Sequence, residues 1–200
     1  MEPVRSHGTS TAYRRQKQIE DCLYANLLQT PYQSVSISDI CRQVGISRKA
    51  FYNYFQDKST CLRSFIRRLM RDSLIHVTKS VPDNASLLEV AISILDYWKA
   101  HRDFFDIIVR DNLLNDLLLC TVDHIMQEDQ TTLDLLSTPF VQSDKDILAC
   151  YMASQITLVL QWQSRNFETP TEEMAKKLLR ILHSPLLTLP SSDENISAAD

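Results

Sequence analysis

Five polar side chains crowd one stretch of the chain: Arg48, Lys49, Tyr52, Asn53 and Lys58. They are a guanidinium, two ammonium groups, a phenol and a carboxamide, with no histidine among them to act as a base. This is a set for polar recognition rather than bond making. Arg or Lys pairs with guanine O6 and N7, Asn pairs with adenine, and hydroxyls and cations meet phosphates. The spacing therefore points to contact with a nucleic acid.

Such groups are useful only if a rigid element aims them outward. Residues 37–55 read ISDICRQVGISRKAFYNYF. Ile37, Ile40, Cys41 and Val44 give one helix a buried face, and Gly45 supplies the positive φ of a sharp turn. Ile46 is expected in the core, and Ser47 caps the next helix. Phe51 and Phe55, four residues apart, face inward, so Arg48, Lys49, Tyr52 and Asn53 project outward, as the second helix of a helix-turn-helix does in a major groove. Lys58, opening the following helix, is placed to hold a phosphate by charge and by that helix's free N–H groups. The competing reading is a helical hairpin within a larger bundle, with Tyr52 and Tyr54 as half-buried core aromatics.

The segment resembles the DNA-binding domain of the TetR family of transcriptional regulators. Ser36, Ile40, Cys41, Gly45, Ile46, Ser47, Phe51, Tyr52, Tyr54, Phe55 and Lys58 fall on the family pattern, with Cys41 standing where alanine is usual. The resemblance is strong over about residues 14–70. It implies DNA contacts from Ser36, Ser38, Ser47, Arg48, Lys49, Tyr52, Asn53, Tyr54 and Lys58. Tyr52, Tyr54 and Lys58 are expected on phosphates, and Arg48, Lys49 and Asn53 on base edges. It also implies a homodimer on a palindromic operator, a helical ligand-binding and dimerisation domain after the head, and a ligand-responsive repressor rather than an enzyme. An activator, or a regulator governed by a protein partner, is the alternative. The segments WKAHRDFFDIIVRDNLLNDLL and YMASQITLVLQWQSRNFETPTEEMAKKL resemble a subset found in Firmicutes that includes activators of dihydroxyacetone kinase operons.

Charge is divided in the same way. Residues 1–80 hold 13 Lys and Arg against 6 Asp and Glu, residues 81–200 hold 8 against 19, and together they make the net −4. A basic head beside a DNA-reading motif is the electrostatic footprint expected of a DNA-binding protein, although such charge can also merely solvate a surface. Only two glycines occur in 200 residues, which excludes GxGxxG, the P-loop and GxSxG. The cysteines Cys22, Cys41, Cys61, Cys120 and Cys150 form no CxxC pair; each sits in an apolar helical pattern and is expected to be a reduced core thiol rather than a disulfide or metal ligand. No paired histidine spacing suits a metal, and no metal or cofactor is expected. The polar start lacks the apolar stretch of a signal peptide, and no apolar run approaches the roughly 18 residues of a membrane span, so a cytoplasmic protein is expected.

Apolar residues at i, i+3, i+4 spacing throughout predict an all-α fold: a three-helix head, a long connecting helix and a helical C-terminal domain, about nine helices in all. The expected divisions are a flexible arm over 1–12, the head over 13–57, the connecting helix over 58–80, the body over 81–190 and a tail over 191–200. Helices are expected from about Tyr13 to Gln29, from Ser36 or Ser38 to Val44, over 48–55 and from Lys58 to Lys79. The body should hold helices over 84–100, 102–118, 121–136, 144–166 and 171–184. The helix over 144–166 is apolar around too much of its circumference to be covered on one side. A two-fold interface using Tyr151, Met152, Ile156 and Val159, with Met174, Leu178 and Ile181 of the last helix, is one reading, and an intramolecular core is the other. Trp98, Phe104, Phe105, His124, Gln155 and Trp162 are pocket candidates, although aromatics at helical spacing are more often core. Asp103, Asp106, Asp111 and Asp116 read as a solvated face, because Arg110 interrupts any catalytic stripe.

Overall fold

The computed structural model describes residues 7–82, 84–127 and 145–182. Among them the fold is all-α, with nine helices and no strand. In chain order these are α1 (His7–Leu27), α2 (Ile37–Val44), α3 (Arg48–Tyr52), α4 (Lys58–Ser80), α5 (Leu87–Ala100), α6 (Arg102–Arg110), α7 (Leu114–Gln127), α8 (Lys145–Gln163) and α9 (Thr171–Leu182), with a short 3-10 turn over Tyr32–Ser34.

The chain divides into two compact units. The first takes residues up to Ile75 together with His101–Glu128, and the second takes His76–Ala100 with the residues from Asp129 onward. The division falls inside α4 rather than at either of its ends. The first unit includes α6 and α7 together with α1, α2 and α3.

In the first unit, Ile19, Leu23 and Leu27 of α1, Ile40 of α2, Phe51 of α3 and Leu62 and Ile66 of α4 are all fully or almost fully buried. Their spacing follows the predicted stripes. Polar groups close the same interface. Asn26 and Gln43 exchange amide hydrogen bonds, each 3.0 Å, between α1 and α2. Glu20, on the buried side of α1, accepts from Arg68 and Ser64 of α4 at 2.6 Å each. Asp57 and Thr60 cap α4 reciprocally, Thr60 N–H donating to Asp57 Oδ1 at 2.7 Å and Asp57 N–H to Thr60 Oγ1 at 3.0 Å.

The second unit packs α9 against α5 and α8. α5 starts with a capping box that the sequence displays as S-x-x-E: Glu89 Oε2 accepts from Ser86 N–H at 2.7 Å, and Ser86 Oγ accepts from Glu89 N–H at 3.3 Å. This starts the helix at Leu87, three residues later than expected. After α8 the chain turns through Asn166 and Phe167, both at positive φ. The strain is offset locally: Phe167 is buried, its ring stacks edge-on against Trp162 at 5.0 Å, and its N–H bonds Trp162 O at 3.0 Å.

Several boundaries move. α1 begins at His7, so residues 7–12 are helical rather than a loose arm and Gly8 lies in the first turn. α3 stops at Tyr52 rather than residue 55. The helix expected over 102–118 is two helices, broken where Asn112 takes φ 55°. Periodicity missed this break because Leu113 and Leu117 continue the apolar stripe after the kink. The arm's first six residues, the part of the 121–136 helix beyond Gln127, and the tail lie outside the described residues.

The thiols also differ from expectation. All five cysteines are free, but Cys150 is exposed and Cys22 is only half-buried. Cys41, Cys61 and Cys120 are buried as the apolar pattern requires. Burial pushes the Cys120 thiol up to about 11 and raises that of Cys61 still further.

Candidate nucleic-acid interface

The recognition segment is built by three local devices. Ser36 lies at φ −99° and ψ 149°, and its hydroxyl accepts from Asp39 N–H at 3.1 Å, starting α2. Gly45 ends α2 in the left-handed region at φ 72° and ψ 39°, with its N–H on Cys41 O. A Cβ at this position would meet nothing within 4 Å, so the need for glycine comes from backbone conformation rather than from crowding. Ser47 then starts α3 by accepting from Ala50 N–H at 3.1 Å.

Phe51 has no exposed surface and Phe55 only 5%, and their rings meet at 5.7 Å. These two side chains fix the rotation of α3. Arg48, Lys49, Tyr52 and Asn53 are consequently exposed, and Tyr54 is half-buried. Ile46 is half-buried rather than in the core, because Gly45 turns the chain at the surface.

Arg48 joins three of the expected contacts. Its Nη1 donates to Ser38 Oγ at 3.1 Å and its Nη2 to Tyr52 Oη at 3.3 Å. A hydroxyl from the first turn of α2, a guanidinium from the start of α3 and a phenol one turn later thus form one solvent-facing cluster. The neutral hydroxyls leave the guanidinium's charge uncompensated, and the remaining N–H groups stay available to an acceptor.

Lys58 stands apart from this cluster. Its ammonium donates to Tyr32 O at 2.5 Å and Val35 O at 2.7 Å and sits 4.2 Å over the Tyr32 ring. Burial lowers its pKa. Two of its three N–H bonds are thus committed to the loop preceding α2, more than twenty residues upstream and beyond the reach of any local pattern.

The C-terminal half of the chain, residues 85–184, matches the family described as the transcriptional regulator C-terminal region, and residues 26–65 match bacterial regulatory proteins of the tetR family. The chain belongs to the tetR family. It is a DNA-binding transcriptional regulator rather than an enzyme.

Solved structures similar to this TetR-family chain show the same fold. One is a TetR-family transcriptional regulator from Syntrophomonas wolfei, 16% identical, with TM-score 0.56 over 90% of this chain and 99% of that one. Another is the repressor FadR of Thermus thermophilus in complex with lauroyl-CoA, 14% identical, with TM-score 0.53 over 88% and 97%. A third is the dihydroxyacetone kinase operon activator DhaS, 19% identical, with TM-score 0.50 over 86% and 95%. No curated protein matches the chain.

The pocket candidates of this TetR-family protein are divided between the two compact units. Phe104 and Phe105 are buried in the first unit, where Phe104 lies 6.2 Å from Phe65 and 5.3 Å from Phe105. Trp98, Gln155 and Trp162 belong to the second. Trp162 is spent on structure, its indole N–H donating to Thr169 O at 2.9 Å. Gln155 differs: it is 4% exposed, and its amide faces the Tyr151 phenol, with no hydrogen bond of good geometry to its Nε2 among the described residues. The side chain of His124 lies outside the described residues.

The interface candidates also separate. Val159, Met174 and Leu178 are at most 4% exposed and fill the second unit's own core. Tyr151, Met152 and Ile156 keep partial exposure, and Ile181 is 38% exposed. An apolar stripe reads the same in sequence whether its cover comes from the same chain or another.

No helix among the described residues is long and apolar enough to cross a membrane. No group of His, Cys, Asp and Glu among them could hold a metal ion.

Proposed function

We propose that the protein is a ligand-responsive repressor that works in the cytoplasm as a homodimer on a palindromic operator, reading bases with Arg48, Lys49 and Asn53. The observation that carries this reading is the exposed Arg48–Ser38–Tyr52 cluster at the start of a helix whose other face is anchored by Phe51. In a helix-turn-helix this end of the second helix faces base edges. Ser36, Ser38, Ser47, Tyr52 and Tyr54 border it with hydroxyls suited to phosphates, and Lys58 acts by holding the loop before α2, with one N–H left for a phosphate.

For the dimer, the half-exposed apolar side chains Tyr151, Met152 and Ile156 on α8 and Ile181 on α9 are the remaining candidates. For the effector, Gln155 offers a buried amide whose neighbour is the Tyr151 phenol, a pair of polar groups that a ligand carbonyl or hydroxyl could engage. Lauroyl-CoA in the T. thermophilus relative is compatible with an apolar effector. A ligand with different affinities for two arrangements of the body would shift the population of the DNA-competent state.

The second reading, an activator, is favoured by the likeness in fold to DhaS and by the sequence likeness of residues 98–118 to that Firmicutes group. The deciding experiment is a gel shift on duplexes selected by the protein from a random pool, followed by transcription from a promoter carrying the selected site. Wild-type protein is expected to bind with a steep salt dependence and to lower transcription. Arg48→Ala with Lys49→Ala is expected to abolish the shift. Undiminished binding by that double variant overturns the head assignment, and raised transcription establishes the activator.

A further inference from the structure

The loop between α1 and α2 is held from outside the head's own sequence. At the end of α6, Arg110 and Asp111 form a closed pair, Nε to Oδ1 at 3.0 Å and Nη2 to Oδ2 at 2.8 Å. The Asp111 side chain is only 4% exposed. Both members of the pair also bond the head. Arg110 Nη2 donates to Leu27 O at 2.7 Å and to Thr30 O at 3.3 Å, satisfying carbonyls at the end of α1. Asp111 Oδ2 accepts from Tyr32 N–H at 3.0 Å.

From Tyr32 the contacts continue toward the recognition cluster. Lys58 bonds Tyr32 O and Val35 O. Val35 is 5% exposed and immediately precedes Ser36, the cap of α2. Two residues later Ser38 receives Arg48. The position of Ser38 is therefore set by a loop whose carbonyls and N–H groups are gripped by three charged side chains, two of them more than seventy residues downstream in sequence. The kink after the pair, with Asn112 at φ 55°, keeps Asp111 at a helix end and lets Leu113 N–H return to Ile108 O at 2.9 Å. Residues His101–Glu128 accordingly share a compact unit with residues up to Ile75.

We propose that Arg110 and Asp111 are positioning residues for DNA recognition, clamping the α1–α2 loop so that Ser38 and Arg48 meet the operator in register. The inference rests on the assignment of Arg48 to DNA. Charge reinforces it: an arginine at a DNA-binding head invites reading as a phosphate contact, but Arg110 is paired with Asp111 through Nε and Nη2, and Nη2 is also committed to Leu27 and Thr30. A neutralised pair adds no counterion release, so its loss should weaken binding without changing the salt slope.

The experiment compares full-length wild type with Asp111→Ala, Asp111→Asn, Arg110→Ala and Arg48→Ala on the selected duplex across a salt series, with amide hydrogen exchange on the free proteins. Asp111→Ala and Arg110→Ala are expected to bind about tenfold more weakly, with log K against log salt unchanged in slope. Asp111→Asn keeps an acceptor for Tyr32 N–H and should stay within about threefold of wild type. In the free protein, Asp111→Ala should speed exchange at Ser34, Val35 and Ile40 about tenfold and leave the amides of α9 unchanged.

A slope lowered by about one for Arg110→Ala would make it a phosphate contact and overturn the proposal. So would unchanged exchange at Ser34, Val35 and Ile40. If Arg48→Ala abolishes binding while Asp111→Ala does not weaken it, the clamp fails and the DNA reading stands. If Arg48→Ala binds normally, the DNA reading fails, and the exchange result alone decides whether the loop is clamped.

Discussion

Arg68 Nε donates to Glu20 at 2.6 Å where the two side chains are 11% and 2% exposed, a buried ion pair tying α4 to α1. The same guanidinium reaches Asp21 through Nη2 at 2.5 Å. Glu20 also accepts from Ser64 and, at 3.2 Å, from Gln16, so its oxygens are fully engaged. Breaking such a pair from one side leaves an uncompensated buried charge. Arg68→Ala is therefore expected to destabilise the first unit by about 3–5 kcal/mol. Arg68→Met with Glu20→Leu should recover most of that loss, because both charges leave the interior together. Urea unfolding followed in that unit checks both, and a double variant no more stable than Arg68→Ala would show that the pair is not the source of the loss.

Gly45 isolates conformational strain from crowding. Its φ of 72° disfavours any L side chain, while the space around its Cβ position is open. Gly45→Ala is expected to cost about 1–2 kcal/mol. Gly45→Asn should cost less, since asparagine tolerates the left-handed region. Thermal unfolding of the two variants gives the comparison, and equal melting temperatures for wild type and alanine would contradict it.

The half-exposed apolar side chains of α8 predict an association surface. Met152→Glu with Ile156→Glu is expected to convert a dimer to a monomer in sedimentation equilibrium, because two carboxylates on a buried apolar patch cannot be solvated. Val159→Glu should instead unfold the second unit, since Val159 is 1% exposed in the protomer's own core. A double variant that still sediments as a dimer places the interface elsewhere.

Thiol accessibility gives a direct check on packing. Alkylation at neutral pH should label Cys150 first and Cys22 more slowly. Cys61 and Cys120 should stay unmodified until the protein unfolds, since both are buried and burial raises their pKa. Mass spectrometry of the native and denatured protein reads the order. Early labelling of Cys120 would mean that the packing of α7 on Arg63, whose carbonyl accepts from the Cys120 thiol at 3.2 Å, opens readily.

What the sequence determined is the part of the molecule built within five or six residues. A serine three residues ahead of the N–H it caps, a glycine at the only left-handed position of a turn, and two phenylalanines one helical turn apart act through local geometry. The α2–turn–α3 segment and the outward set of Arg48, Lys49, Tyr52 and Asn53 could therefore be read directly. The capping box at Ser86 and Glu89 was equally local, and the S-x-x-E spacing would have found it.

What the tertiary structure alone decided concerns partners distant in the chain. Periodicity says that Leu178 and Ile156 are apolar, but not that one is covered by its own chain and the other only half-covered. It groups Phe104 with Trp162 as aromatics, although they belong to different compact units. Above all, charge in a sequence carries no address. Lys58 binds loop carbonyls, Arg68 completes a buried pair and Arg110 neutralises Asp111 while holding Leu27, because each ion found the uncompensated carbonyl or carboxylate that folding brought within hydrogen-bond reach.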